Sequence, residues 1–276
     1  MKKKVAIQGI EGSFHHIVGT TFYNESIDML ECQNFDDVVE AVSLGICEEA
    51  IMAIENSIAG SIIPNYARID SNQLNIVGEC YLNIQHNLMA LNKQSIQDIK
   101  EVHSHPMALL QCKRFFDLHP NIKLVEAKDT AGVAKFISAN QKMGIAAIGS
   151  KAASEIFGLN ILKSSIQSVE KNQTRFVIIN NKHTELPKSS AYNKASIKFE
   201  LDHKRGSLAA VLNMMSDCKL NLTKIQSLPK IEKPWKYAFF VDVTFEDYKD
   251  FNKAITIIEI MAEAFKILGV YKNARS

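Results

Sequence analysis

The 276-residue chain contains no apolar run approaching the roughly 20 residues that a membrane-spanning helix requires. Strand-like residues begin at Val5, which leaves no room for the apolar core of a secretory signal; the chain reads as cytoplasmic, with no membrane partner. Cysteine is sparse and unpatterned: Cys32, Cys47, Cys80, Cys112 and Cys218 are odd in number and never stand at C-x-x-C spacing. That excludes a zinc ribbon or a disulfide scaffold and predicts buried free thiols. Charge is nearly balanced, 32 Lys and Arg against 30 Asp and Glu, and the one basic run, Lys2-Lys3-Lys4, reads as a solvated tail. Without a basic stripe interleaved with aromatics, nucleic acid is excluded as a partner. H-E-x-x-H, Walker and G-x-G-x-x-G patterns are absent, so neither a metal nor a cofactor is expected.

An apolar content of 46% and a charged content of 22% are ordinary for a globular protein, and the length suits two domains or three lobes. Through residue 180, short apolar runs alternate with amphipathic segments, the pattern of strand–helix α/β units. Val5–Gln8 reads as a strand, and a glycine loop over 9–12 leads into a helix from Phe14. Phe35, Val38, Val39 and Val42 fall at i, i+3, i+4 and i+7, one buried helix face, before a buried strand at Ala50–Ile54. Leu74–Glu79, Leu82–Leu91, Glu101–Ser104, Ile122–Ala127 and Gly144–Ile148 read as further extended segments. Helices are predicted from Pro106 through Phe116, over Asp129–Asn140 and over Ser150–Phe157, with Asp129 and Ser150 as N-caps and Gly158 as a C-cap.

Lys182–Asn193 is polar and carries Pro187 and Ser189-Ser190, so it reads as a linker. Beyond it, Lys194–Leu201, Asn221–Leu228 and Tyr237–Thr244 read as strands, with a final strand near Val270. Leu208, Val211, Leu212 and Met215 share one helix face; Phe251, Ala254, Ile255, Ile258, Ala262 and Phe265 mark a last helix. The order βαββαβ is ferredoxin-like.

Two polar words stand where strands should meet loops, the place where open α/β sheets build ligand crevices. Ile54-Glu55-Asn56-Ser57-Ile58-Ala59-Gly60-Ser61 follows one apolar run, and Asn172-Gln173-Thr174-Arg175-Phe176 precedes another. Taken alone, Glu55-Asn56-Ser57 is ordinary turn chemistry, and Thr174-Arg175 a turn cap beside a surface ion pair. Gly9-Ile10-Glu11-Gly12-Ser13 leads a strand into a helix, which favours an anion at the helix N-terminus, although two glycines at that spacing often only make a turn. His15-His16 reads as an exposed pair. His105 could titrate near neutrality or sit packed at a strand end.

Together with Ser104-His105-Pro106-Met107-Ala108-Leu109 and Asp129-Thr130-Ala131, these words resemble the prephenate dehydratase family, in order along nearly the whole chain. The resemblance implies decarboxylating dehydration of prephenate to phenylpyruvate, carbon dioxide and water on the route to phenylalanine. It implies an α/β fold: residues 1–181 as a catalytic domain of two lobes resembling a periplasmic binding protein, 182–193 as linker, and 194–276 as an ACT regulatory domain. Lobe one would span 1–78 and 160–181, and lobe two 79–159. The same resemblance makes Thr174 the residue on which activity depends, its hydroxyl donating toward the leaving oxygen. Glu55 would orient or protonate, with Asn56 and Ser57 supplying donors. Arg175 would clamp a substrate carboxylate bidentately, while Phe176, Ser104, His105, Gly12, Ser13 and Thr130 complete the expected substrate site. The chain departs from the family's usual pattern at Ala53, where proline is common, and at Ile10 and His15.

In that family L-phenylalanine binds the ACT domain and shuts the enzyme down. The matching words are Gly206-Ser207-Leu208 and Asn221-Leu222, followed by Gln226 and Ser227. Here Gln226-Ser227-Leu228-Pro229 replaces the family's Glu-Ser-Arg-Pro, which implies weaker or retuned feedback. ACT pairing implies a homodimer or homotetramer. No chorismate mutase helix bundle precedes the catalytic words, so a monofunctional enzyme is expected. Arogenate dehydratase is the alternative within the class, disfavoured by the lack of a transit peptide. A non-catalytic metabolite sensor is the alternative outside it, disfavoured by the joint presence of Glu55, Asn56 and Thr174.

Overall fold

The computed structural model describes residues 2–23, 25–182, 192–202, 204–230 and 236–275. Its first sheet is built from β1 (Lys4–Gln8), β2 (Asp28–Cys32), β3 (Glu49–Asn56), β4 (Gly60–Ser61) and β5 (Asn75–Asn83), with α1 (Phe14–Phe22), α2 (Phe35–Ser43) and α3 (Ile63–Ser71) between them. The second holds β6 (Asn87–Ala90), β7 (Glu101–Ser104), β8 (Lys123–Glu126), β9 (Ile145–Gly149) and β10 (Asn160–Lys163). Its connections are α4 (Pro106–Gln111), α5 (Lys113–Asp117), α6 (Thr130–Ala139) and α7 (Lys151–Ile156). The chain then re-enters the first sheet as β11 (Gln173–Asn180). Strand orders are β2-β1-β3-β11-β5, with β4 against β3, and β10-β6-β9-β7-β8. The chain thus forms two α/β lobes, each with its own sheet, and passes between them twice.

The lobe crossings lie later than 78 and 160. β5 stays in the first sheet to Asn83 because β11 pairs with it from Asn75 to Asn83, and β10 remains in the second sheet to Lys163. The crossings therefore occupy 84–86 and 164–172. Sequence patterning does not mark β2, α3 or β10. β2 and β10 are edge strands, β2 burying only Cys32, and α3 buries only Asn65, Tyr66 and Ile69. The helix predicted from Pro106 to Phe116 breaks at Cys112, which ends α4 and starts α5.

The C-terminal module comprises β12 (Lys194–Glu200), α8 (Ser207–Asp217), β13 (Asn221–Pro229), β14 (Tyr237–Thr244), α9 (Tyr248–Met261) and β15 (Ala264–Tyr271). Its antiparallel order, β13-β14-β12-β15, is ferredoxin-like. Phe265 belongs to β15, paired with Phe199, and not to the last helix, which ends with Ala262 as its C-cap. Of the expected linker, 183–191 lie outside the described residues.

One face of this third sheet is covered by α8 and α9 around Phe199, Phe251 and Ile258. The other packs on the first lobe, where Ala238, Phe240, Leu268 and Tyr271 join the core of Ile54, Tyr66, Ile69 and Ile76. A Cβ placed on Gly269 would lie 2.0 Å from the Ile76 carbonyl oxygen, so β15 can cross β5 this closely only at glycine. Lys198 and Lys266 both reach Asp70, at 2.6 and 3.1 Å. Among the described residues no helix is long and apolar enough to cross a membrane.

Candidate active site

A cleft of about 460 Å³ opens between the two lobes, beyond the C-terminal ends of the parallel strands. Lobe one contributes Gln8, Ser13, Phe14, His15, Asn34, Phe35, Ala53, Asn56 and Arg68. Lobe two contributes His105, Gln111, Lys128 and Thr130, the first crossing adds Ile84 and His86, and β11 adds Thr174 and Phe176.

Strand alternation on β11 sends Thr174 and Phe176 into the cleft and Arg175 to the opposite face. On β3 the same rule would send Ala53 and Glu55 inward. Instead the register slips: Arg175 pairs Glu55, but Phe176 pairs Ala53, leaving Ile54 as an extra residue. This bulge puts both Ile54 and Glu55 behind the sheet and returns Asn56 to the cleft. The catalytic role expected of Glu55 is therefore corrected: its carboxylate lies 3.1 Å from Lys224 of the C-terminal module, and it does not line the cleft.

Asn56 and Thr174 face each other across the strand pair, 9% and 8% exposed. The Asn56 Nδ2 group donates to Thr174 Oγ1 at 2.9 Å and to Asn172 Oδ1 at 2.7 Å, while its Oδ1 accepts the amides of Ile58 and Ala59. Asn172 Nδ2 in turn donates to Gln111 Oε1 at 2.9 Å, which also meets His86 Nε2 at 2.9 Å. Because Gln111 Oε1 only accepts, His86 carries its proton on Nε2. Asn56 thus donates in both directions, and Asn172 and His86 both donate to Gln111. Since Thr174 Oγ1 accepts from Asn56, its own proton is left for a cleft ligand.

Three helices begin at this cleft. Ser13 caps α1, Asn34 caps α2 and Asp129 caps α6, each accepting a first-turn amide, so their partial positive ends meet there. Arg68 and Lys128 add full charges. Arg68 holds Asp36 in two bonds of 2.7 and 2.8 Å, which keeps that carboxyl below its ordinary range, and Lys128 reaches Gln33 at 3.1 Å across the lobes. Apolar walls come from Phe14, Phe35, Ile62, Ile84 and Phe176. An anion with an apolar body fits such a site.

His105 lines the cleft and caps α4 by accepting the Met107 amide on Nδ1 at 3.2 Å, which leaves Nε2 as its donor. His15 is not exposed. Its ring packs edge-on against Phe35 and Phe176, accepts the Ala53 amide at 3.3 Å, and burial pushes it down to about 3, so it is neutral. Burial also lowers His86, against the opposing effect of its bond to Gln111.

Several expected site residues stand elsewhere. Arg175 is 4% exposed and ion-paired to Glu79 and Asp242, so its donors are spent away from the cleft and the substrate clamp is corrected. Ser57 ties its loop to Lys171 and Gln173; Ser104 Oγ donates to the Ile148 carbonyl at 2.9 Å. Gly12 packs on Ala153 of α7, an interlobe contact. Ser13 and Thr130 do line the cleft.

In the C-terminal module, Ser207 and Leu208 line a cavity of about 160 Å³ with Leu201, Asp202, Lys204, Lys236, Tyr237 and Phe239. Gly206 starts α8 at φ 83°. Asn221, Leu222, Gln226 and Ser227 lie on β13 outside that cavity, and the Asn221 amide bonds Thr244 at 3.4 Å. Sequence reasoning missed Arg68, Lys128 and His86. Asn172 and Gln111 stood beside the matched words, with nothing in the pattern to show that they touch.

Residues 5–184 match the family model described as prephenate dehydratase. Arogenate dehydratase/prephenate dehydratase 2, chloroplastic, of Arabidopsis thaliana is 33% identical over 97% of this chain and 72% of its own length. The prephenate dehydratase of Arthrobacter aurescens in complex with L-Phe superposes with a TM-score of 0.87 at 24% identity, covering 99% of this chain and 90% of that one. GqqA, described as a novel type of quorum quenching acylase, superposes with a TM-score of 0.87 at 26% identity over 98% of both chains.

Proposed function

The chain belongs to the prephenate dehydratase family of carbon–oxygen lyases, and we propose that it converts prephenate to phenylpyruvate, carbon dioxide and water in the interlobe cleft. Prephenate carries two carboxylates and a ring hydroxyl opposite the quaternary carbon. When the ring carboxylate leaves, its bonding electrons pass through the diene and expel the hydroxide, giving a benzene ring without an electron sink. What remains for the protein is to hold a dianion and to help hydroxide depart.

The observation that carries the reading is the Asn56–Thr174 bond of 2.9 Å, in which the threonine oxygen accepts, so that its own proton is available to a ligand of the cleft that Thr174 lines. A threonine hydroxyl does not titrate here; it stabilises the leaving oxygen as a fixed hydrogen-bond donor. His105 Nε2 is the second donor at the same cleft. Arg68, Lys128 and the three helix starts receive the carboxylates. Thr174, Asn56, His105, Ser13, Thr130 and Phe176 are thus assigned to the site; Glu55, Ser57, Arg175, Ser104 and Gly12 support it from outside.

The module from residue 194 is read as an ACT domain that senses L-phenylalanine, the 182–193 segment being its linker to the catalytic domain of 1–181. The cavity beside Ser207 offers what an α-amino acid needs: Asp202 for the ammonium, Lys204 and Lys236 for the carboxylate, and Leu208, Tyr237 and Phe239 for an aromatic ring. Gln226 and Leu228, without charge, tune the feedback. β13 is an edge strand with Ile225 exposed, which suits pairing with a second copy in a homodimer or homotetramer. Five free cysteines, four of them buried, fit the cytoplasm.

The likeness to GqqA raises acyl transfer as a second reading. It needs a nucleophile bonded to a base, and among the described residues the cleft hydroxyls of Ser13 and Thr174 bond only to an amide of the backbone or of Asn56. The test is product release by the purified protein offered prephenate, arogenate and an acyl amide. The proposal expects phenylpyruvate from prephenate at a kcat/KM above that for arogenate. A reversed ratio makes it an arogenate dehydratase, and amide hydrolysis alone overturns the dehydratase assignment.

A further inference from the structure

Thr174 and Asn56 have sequence neighbours that point the opposite way, and both neighbours are held by the C-terminal module. Arg175, next to Thr174, is ion-paired to Asp242 of β14 and donates to the Tyr271 hydroxyl of β15 at 2.8 Å. Glu55, next to Asn56, meets Lys224 of β13 at 3.1 Å. The two clips touch, Arg175 Nη1 lying 4.0 Å from Glu55. Behind them Glu79 accepts from Arg175 at 2.7 Å and from Lys194 at 2.8 Å, and Ser196 holds the far oxygen of Asp242 at 2.5 Å.

Docking alone does not call for this arrangement. Apolar contact through Tyr66, Phe240 and Leu268 already joins the two parts, and Asp70 with Lys198 and Lys266 supplies ion pairs at their edge. Buried ion pairs stabilise little compared with apolar residues of the same volume, but they fix position. Here the fixed position is that of two strand ends, β3 and β11, whose front faces carry the catalytic pair. Successive side chains leave opposite faces of one backbone, so a backbone shift at Arg175 or Glu55 carries Thr174 or Asn56 with it.

Resting on the dehydratase reading, we propose that Asp242 and Lys224 are positioning residues for the reaction, holding Arg175 and Glu55 behind the sheet and thereby setting where Thr174 and Asn56 stand in the cleft. The C-terminal module is then part of the catalytic apparatus even without an effector. Loosening either clip lets the strand end drift, and drift on the order of 1 Å costs up to about 10²-fold in rate.

The experiment is steady-state prephenate turnover by the full chain carrying Asp242→Asn, Lys224→Met or, as a docking control, Lys266→Met. The expected result is a kcat at least about tenfold lower for the first two with KM little changed, and near-normal kinetics for the third. In a Thr174→Ala background Asp242→Asn should add no further loss, because it acts through the hydroxyl already removed. Equal losses in all three variants, an unchanged kcat, or losses that multiply in the double variant overturn the proposal. Should Asp242→Asn fail to fold, Lys224→Met is combined with Thr174→Ala and read the same way. Absent turnover by the wild-type chain would count against the dehydratase reading itself, before any variant is compared.

Discussion

Asn56 donates its amide proton to the hydroxyl of Thr174 across 2.9 Å, joining the last residue of β3 to the second residue of β11. Asn56 reaches that position only because Ile54 is an extra residue in the ladder. Asn56→Asp changes one group and removes the donated bonds to Thr174 and Asn172, together with the longer one of 3.4 Å to the Gln173 carbonyl. Steady-state kinetics should show kcat lower by about 10²-fold with a smaller change in KM. A wild-type kcat would mean that the bond does not orient the hydroxyl.

Acid should weaken the fold through His15. Its ring is neutral when folded because burial pushes its pKa down to about 3, whereas the unfolded chain takes a proton at its ordinary value of 6.5. Its contribution to stability is therefore complete above 6.5 and is lost as pH falls toward 3, by up to about 1.4 kcal/mol per pH unit. His86, lowered by burial, acts with the same sign. Urea midpoints at pH 7.5 and 5.5 should differ less in His15→Gln than in the wild type.

Gly269→Ala tests the docking of the C-terminal module. The new methyl would meet the Ile76 carbonyl oxygen at 2.0 Å, and backbone cannot yield by a rotamer change. A loss of about 1–3 kcal/mol is expected in the urea midpoint. Unchanged stability would show that β15 and β5 part without cost.

L-Phenylalanine should raise the melting temperature through the cavity beside Ser207. At a hundredfold excess over Kd the stabilisation is about 2.7 kcal/mol. Asp202→Asn should weaken the shift by removing the carboxylate offered to the ammonium, and D-phenylalanine should produce a smaller one. Equal shifts from both enantiomers would contradict a built amino-acid site.

Much of this architecture was legible in the sequence where burial imposed a clear period. The run Ala50–Ile54, the α2 face of Val38, Val39 and Val42, and the βαββαβ order of the C-terminal module all stand where patterning puts them. β2 and α3 were not legible, because an edge strand and a short half-buried helix carry little apolar signal. Thr174 and Asn56 were named from their words. Glu55 and Arg175 were assigned to the cleft because the bulge that turns Glu55 away depends on pairing with β11, and the partners of Arg175 lie 96 and 67 residues distant. His15 looked exposed since nothing local shows Phe35 and Phe176 closing over it.

The most direct measurement is prephenate turnover by Thr174→Ser beside Thr174→Ala. A fixed hydroxyl donor predicts that serine, which keeps the O–H, stays within about tenfold of the wild-type kcat. Alanine should fall by about 10²- to 10⁴-fold. An alanine variant within about twofold of wild type would contradict the account, leaving the cleft without the donor on which the mechanism rests.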